Sequence, residues 1–166
     1  MDIAIREATA GDYEALCIIM HEVDRMHRDA LPQRFKAPDG PARERDYVMN
    51  AIRSPDVGLF VAEKASQLVG FLHAIVRHTT DIPILVPRRY VVVDNLAVTE
   101  EHRRSGIGRA LMEKAEAWAR AKGATSIELN VYAFNQTAKR FYQELGYKIV
   151  SHRMTKSLQD LEFGTE

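Results

Sequence analysis

The sequence predicts a mixed α/β domain, one sheet with helices packed on it, and three observations carry that expectation. The run YVVVDNLAV, Tyr90 to Val98, is dense in β-branched residues, as in a strand buried on both faces. Directly after it, Ile107, Leu111, Ala115 and Trp118 form an apolar stripe at helical spacing. A further strand, TSIELNVYA, and a further helical pattern follow. Strands joined through a helix are parallel neighbours, because only a crossover returns the chain to the same end.

The elements follow in order. Ile3 and Ile5 alternate with polar residues and read as a short first strand. Thr9 and Asp12 have capping-box spacing, and Tyr13, Leu16, Met20, Val23 and His27 then recur at helical intervals. Pro32, Pro38, Gly40 and Pro41 break that pattern, and a weaker helix is expected from Ala42 to Arg53. VGLFVAEK and QLVGFLHAIVRHT read as two strands joined at Ala65 and Ser66, hence an antiparallel hairpin. Pro83 and Pro87 mark a loop. Gly123 stops the helix that begins near Ile107. Asn135 caps the next helix, with Ala138, Phe141, Tyr142 and Leu145 as its apolar positions and Gly146 as its end. YKIVSHRMTKSL is expected to close the sheet. The whole chain, residues 1–166, reads as a single domain.

Composition narrows the function classes. Hydrophobic residues make up 46% and charged residues 28%, as in ordinary soluble domains. Lys+Arg and Asp+Glu are both 23, so no overall charge argues for nucleic acid or an anionic membrane. The lone cysteine, Cys17, lies in an apolar helical pattern and reads as a structural thiol, which points to a reducing compartment. The amino end, MDIAIREAT, lacks the basic start and apolar run of a signal peptide, and no segment is long enough to span a bilayer. The expected location is cytoplasmic.

The chemistry concentrates in the loop Arg103-Arg104-Ser105-Gly106-Ile107-Gly108-Arg109. A bare Gly-x-Gly arises by chance about 0.8 times in a chain this long, so alone it says little. Here it stands between a buried strand and an amphipathic helix, beside arginines. Glycines allow a ligand close to the backbone, and the amino terminus of a helix offers free N–H groups and partial positive charge. The assembly suits phosphate or pyrophosphate. It is neither a P-loop, since Gly108 is followed by Arg109 and Ala110, nor a dinucleotide fingerprint, whose third glycine would stand at Leu111.

These residues resemble the GNAT superfamily of N-acetyltransferases. DNLAVTEEHRRSGIGRALMEKAEAWARAKG is similar to its acetyl-CoA-binding segment, with Arg103, Gly106 and Gly108 matching the Arg/Gln-x-x-Gly-x-Gly/Ala loop. NVYAFNQTAKRFYQELGYK is similar to its second cofactor segment, with Asn135, Tyr142 and the closing Leu145-Gly146-Tyr147. The resemblance spans about Tyr90 to Ile149. It implies a twisted mixed sheet of six to seven strands with about four helices, acetyl-CoA as co-substrate, and no metal. It implies that the backbone from Arg104 to Arg109 holds the pyrophosphate, and that Leu96, Ala97 and Val98 pair with pantetheine like an added strand. It also implies direct attack by an amine in a ternary complex, with Tyr142 as the acid that protonates the departing thiolate. Asn135 is an N-cap by position and a cofactor contact by resemblance.

The proton acceptor is where the pattern departs. Several relatives carry a glutamate early in this strand, and here no carboxylate appears before Asp94. Asp94, placed by period-two alternation on one face with Val92 and Leu96, is the main candidate. Glu128, His73 and a water chain are the alternatives. For the acceptor, His27, Arg34 and Phe35, in and after the first helix, and Tyr90 are candidate lining residues. Phe35 reads equally well as a pin into the core. A small-molecule amine is the expected acceptor. A peptide α-amine or lysine, or a non-catalytic acyl-CoA sensor, are the rival readings, and a homodimer is left open.

Overall fold

The computed structural model describes residues 3–41 and 43–158. Its sheet runs in the order β1 (Ala4–Glu7), β2 (Val57–Lys64), β3 (Gln67–His78), β4 (Arg89–Val98) and β5 (Ser126–Leu129). The helices are α1 (Tyr13–Ala30), α2 (Arg45–Arg53), α3 (Ile107–Ala121) and α4 (Gln136–Glu144). The chain divides into two compact units, residues 1–134 with the sheet and α1 to α3, and residues 135–166 with α4.

Pairing is antiparallel from β1 through β4 and parallel between β4 and β5. Local chemistry accounts for both. The β2–β3 hairpin turns on Ala65 and Ser66, at φ 50° and 63°, the left-handed pair that matches strand twist in a two-residue loop. The β4–β5 connection carries α3 as its crossover.

Alternation sorts the side chains of the sheet. Leu59, Val61, Phe71 and Ala97 pack with Leu16, Ile19 and Met20 of α1 and Val48 of α2. The opposite face meets α3: Phe60 lies edge-on to Trp118 with centroids 6.0 Å apart. There Gly70 faces Ile107 and Leu111, and a Cβ on it would come 2.8 Å from the Ala97 carbonyl oxygen.

The entry to α1 is tied down by charge. Asp12 ends a 3₁₀ turn (Ala10–Asp12). Its carboxylate accepts from the Thr9 N–H at 2.7 Å and from Thr9 Oγ1 at 2.9 Å. Arg6 grips both oxygens, at 2.8 and 2.9 Å, and also reaches Glu63. Held by the guanidinium first and by Thr9 after it, the Asp12 carboxyl is pulled down to about 2.

Four expectations change. Among the described residues the strands number five, not six or seven, because YKIVSHRMTKSL forms no strand and leaves Val150 and Met154 about nine-tenths exposed. A strand needs a hydrogen-bonded neighbour as well as a sequence pattern. TSIELNVYA pairs only through Leu129. The second helix starts at Arg45, and Ala42, its expected first residue, lies outside the described residues. β4 is buried at Val91, Val93 and Ala97, while Val92, Leu96 and Val98 stay partly open.

Candidate active site

The glycine-rich loop is built by the end of β4. Thr99 begins a second 3₁₀ turn (Glu100–His102), and its N–H is bonded back to Val69 O at 2.9 Å. Arg103 Nε donates to Val98 O at 3.1 Å, closing the loop on the last strand carbonyl, and Ser105 Oγ donates to His102 O. Arg104 and Gly106 then take left-handed conformations, φ 61° and 85°. Gly106 caps α3, whose first helical bond runs from Ala110 N–H to Gly106 O at 3.0 Å. Among the described residues, the N–H groups of residues 104–109 have no acceptor. No acidic residue stands in the first turn of α3 to neutralise them. A run of unbonded donors at the positive end of a helix is suited to an anion such as a pyrophosphate. A Cβ built on Gly106 meets nothing within 4 Å, so this glycine serves its φ and leaves the approach open.

Next to this loop, the pairing of β4 changes. Tyr90 to Val93 are matched with Ser126 to Leu129 of β5, and there the parallel ladder ends. Among the described residues, 95–98 pair with β3 alone, leaving their other edge open for an added strand. Leu96, Ala97 and Val98 lie on this edge. At its start is a bulge: Ala74 pairs with Val93 and His73 with Asn95, so Asp94 is the extra residue. The bulge overturns the expected alternation. Val92 pairs with Ile75 and Leu96 with Leu72, so these two stand on opposite faces of the sheet, while Asp94, whose carboxylate meets His73, stays on the face of Val92.

The bulge brings two of the candidate proton acceptors together. His73 Nδ1 and Asp94 Oδ2 are 3.4 Å apart, the histidine buried and the carboxylate half exposed. Asn95 Nδ2 donates to the same Oδ2 at 3.2 Å. His73 above all holds the Asp94 carboxyl below the ordinary carboxylate range, against the opposing effect of burial. Glu128 stands elsewhere, paired with Arg88. Arg88 also covers the ring of Tyr90 at 4.5 Å, so Tyr90 and Glu128 share a charged surface patch at the amino end of β4.

Of the expected acceptor-lining residues, His27 and Phe35 meet, with centroids 5.4 Å apart. The turn after α1 arranges this, with Phe35 N–H bonded to Leu31 O at 3.1 Å. Arg34 is exposed, and Tyr90 is not part of the cluster. Two residues that sequence reasoning did not single out complete it. Tyr132 lies 5.4 Å from His27, and Phe134 stacks on Tyr132 at 5.8 Å. Both rings are more than a third exposed. Their sequence signal is an i, i+2 aromatic pair directly after β5. His27 Nδ1 lies 2.9 Å from Val23 O, an oxygen that only accepts, so Nδ1 carries the proton and Nε2 is left as an acceptor.

In the second unit, Asn135 Oδ1 accepts from Ala138 N–H at 3.0 Å, the N-cap of α4. Tyr142 is packed edge-on with Phe141 and Tyr147, and burial pushes its phenol up to about 12, so it is a proton donor at neutral pH.

The sequence profile of the acetyltransferase (GNAT) family matches residues 20–147, and the chain belongs to that family. It is therefore an acetyl-CoA-dependent N-acetyltransferase. An N-alpha-acetyltransferase of Sulfurisphaera tokodaii is 27% identical over 134 residues, which is 78% of this chain and 74% of that protein. Rat N-acetyltransferase family 8 member 3 is 30% identical over 92 residues, 54% of this chain and only 37% of the rat protein. The crystal structure of a tetramutant of the BH1408 protein from Bacillus halodurans superposes with a TM-score of 0.88 at 28% identity, covering 93% of this chain and 99% of that one. No helix among the described residues is long and apolar enough to cross a membrane.

Proposed function

We propose that the protein transfers the acetyl group of acetyl-CoA to the primary amine of a small molecule by direct attack in a ternary complex. The observation that carries this reading is the end of β4–β5 pairing at Val93 and Leu129, beside a run of free N–H groups. The backbone of residues 104–109 holds the pyrophosphate, assisted by the side chains of Arg103, Arg104, Ser105 and Arg109. Ile107, whose side chain is buried, anchors the start of α3 beneath them. Leu96, Ala97 and Val98 take pantetheine along the open edge of β4, and Asn135 adds a contact to the cofactor. The amine lone pair attacks the thioester carbonyl, the carbon–sulfur bond breaks, and Tyr142 gives its proton to the sulfur. The acceptor enters as its ammonium, so nitrogen loses two protons: the first, taken by Asp94, frees the lone pair, and the second, lost after the attack, restores Tyr142. His27 and Phe35, with Tyr132 and Phe134, form an aromatic wall on the acceptor side.

The short extent of that wall, four rings in mutual contact, supports a small acceptor. A peptide α-amine is the second reading, favoured by the similarity to the N-alpha-acetyltransferase of Sulfurisphaera tokodaii. Thiol release from acetyl-CoA, measured with a panel of small primary amines and a panel of peptides with free amino termini, tests both. The expected result is faster turnover of small amines. Faster turnover of peptides installs the second reading. Thermal stabilisation by acetyl-CoA without turnover of any amine would make the protein a sensor. At a hundred times Kd that stabilisation amounts to about 2.7 kcal/mol.

A further inference from the structure

Asp94 divides its two oxygens unequally. Oδ2 takes both protein neighbours, His73 Nδ1 at 3.4 Å and the Asn95 amide at 3.2 Å, while Oδ1 has no partner among the described residues. The histidine is fixed on the covered face of β3, only 6% exposed, with Leu59 of β2 and Asn95 of β4 as its cross-strand neighbours. From α2, Tyr47 approaches it edge-on at 6.4 Å. Arg43, just before α2, acts on Asp94 through its charge and is itself paired with Asp24 of α1 at 3.4 Å. These are the titratable and charged groups around the pair.

We propose that His73 is a positioning residue for the acceptor amine: by holding Oδ2 it turns Oδ1 toward the nitrogen, and its own charge state sets whether an ammonium is attracted there. The inference rests on the acetyl-transfer reading and on Asp94 meeting the amine. With a neutral imidazole the pair carries one negative charge and draws a cation. With an imidazolium the charges cancel, and the attraction is lost although no contact has moved. The acceptor is thus bound as its ammonium, and acidification weakens its binding before it touches the chemistry. Acetyl-CoA, held by the glycine loop, does not sense the pair.

The test is the pH dependence of KM for the acceptor, of KM for acetyl-CoA and of kcat, in the wild type, His73→Gln and Asp94→Asn. In the wild type, the acceptor KM rises about tenfold per pH unit on the acid side, with kcat and the acetyl-CoA KM nearly flat. His73→Gln keeps an N–H donor but carries no charge at any pH, so the limb that depends on the imidazole is lost. Asp94→Asn, at an exposed position that leaves folding intact, abolishes the limb. A limb that stays in place in His73→Gln, or that appears equally in the acetyl-CoA KM, overturns the proposal. Carboxyl ¹³C NMR of Asp94 reads the pair without turnover. A second inflection present in the wild type and missing in His73→Gln is expected, and its absence from the wild type also overturns the pairing. A wild type that shows the inflection but acetylates no amine refutes acetyl transfer instead.

Discussion

Two corners of the molecule are built from the same parts and used in opposite ways. Each is a strand, a threonine, a 3₁₀ turn and a long helix: β1, Thr9 and α1 at one corner, β4, Thr99 and α3 at the other. At the first, Asp12 and Glu14 supply negative charge at the start of the helix, and Arg6 locks Asp12 in place. At the second, the helix is capped by a glycine, its first turn has no acid, and the N–H groups of residues 104–109 lack acceptors among the described residues. The closed corner carries its own anion; the open corner is arranged for one from outside. A helix amino terminus becomes a site when the sequence withholds the carboxylate that would satisfy it.

The largest expected effect separates binding at the open corner from chemistry. Tyr142→Phe removes one hydroxyl and keeps the ring, so kcat is expected to fall about 10²–10⁴-fold with acetyl-CoA affinity unchanged. Because burial lifts the phenol to about 12, any loss of wild-type activity through this group comes only as pH rises toward that value. A mutant that matches the wild type in rate and pH profile, with the amine saturating, makes Tyr142 a packing residue.

Gly106→Val breaks the open corner directly. The new side chain meets no protein atom within 4 Å at its Cβ, so the cost to the free protein is the left-handed φ, about 1–2 kcal/mol. On the proposed reading it stands where the phosphates approach, and each charged bond lost costs about 1.5–3 kcal/mol, so acetyl-CoA affinity should drop at least tenfold. Isothermal titration of a mutant with normal circular dichroism is the measurement, and unchanged affinity would remove the loop from the cofactor site.

Asp12→Asn breaks the closed corner, and it should do the reverse. The folded carboxyl sits at about 2 against an ordinary 3.8, which corresponds to about 2 kcal/mol of stability. Because the folded pKa is depressed, that contribution is complete above about pH 4 and disappears as pH falls through about 2. The variant should melt several degrees lower at neutral pH, converge on the wild type near pH 2, and keep acetyl-CoA affinity and kcat per folded molecule. Equal melting temperatures at pH 7 would show the Arg6–Asp12 pair to be idle.

The smallest effect converts one corner into the other. Ser105→Asp places a carboxylate at the start of α3, as Asp12 does at α1. It gains about 0.3–1 kcal/mol from the helix dipole but gives up the Ser105–His102 hydrogen bond, so the melting temperature of the free protein should change little while acetyl-CoA binding weakens. Unchanged or tighter acetyl-CoA binding would contradict the idea that the open corner differs from the closed one by a missing anion.

Much of the local structure was legible in the sequence. Ala65 and Ser66 turn the hairpin, Asn135 caps α4, and Gly123 and Gly146 take the positive φ values expected of helix ends. The glycine loop was legible too, since strand, loop and helix start are contiguous in the chain. The acceptor side was less so. Tyr132 was absorbed into a strand pattern, because alternation does not say where pairing stops, and Phe134 stands just past it. YKIVSHRMTKSL carries a strand pattern without a strand for the same reason.

The sequence by itself determined the fold class, the family and the glycine loop at the start of α3, because each depends on residues within a few positions of one another. Only the tertiary structure decided how Asp94 is used. Its partner, His73, lies 21 positions away on another strand, and a one-residue bulge in β4 sets which side chains face each other. Sheet register is a contest among whole sets of side chains and hydrogen bonds, won only when every strand is in place. Read as an uninterrupted strand, YVVVDNLAV would have put Asp94 beside Val92 and Leu96. Folded against β3, it puts the carboxylate against a buried imidazole, with one oxygen free.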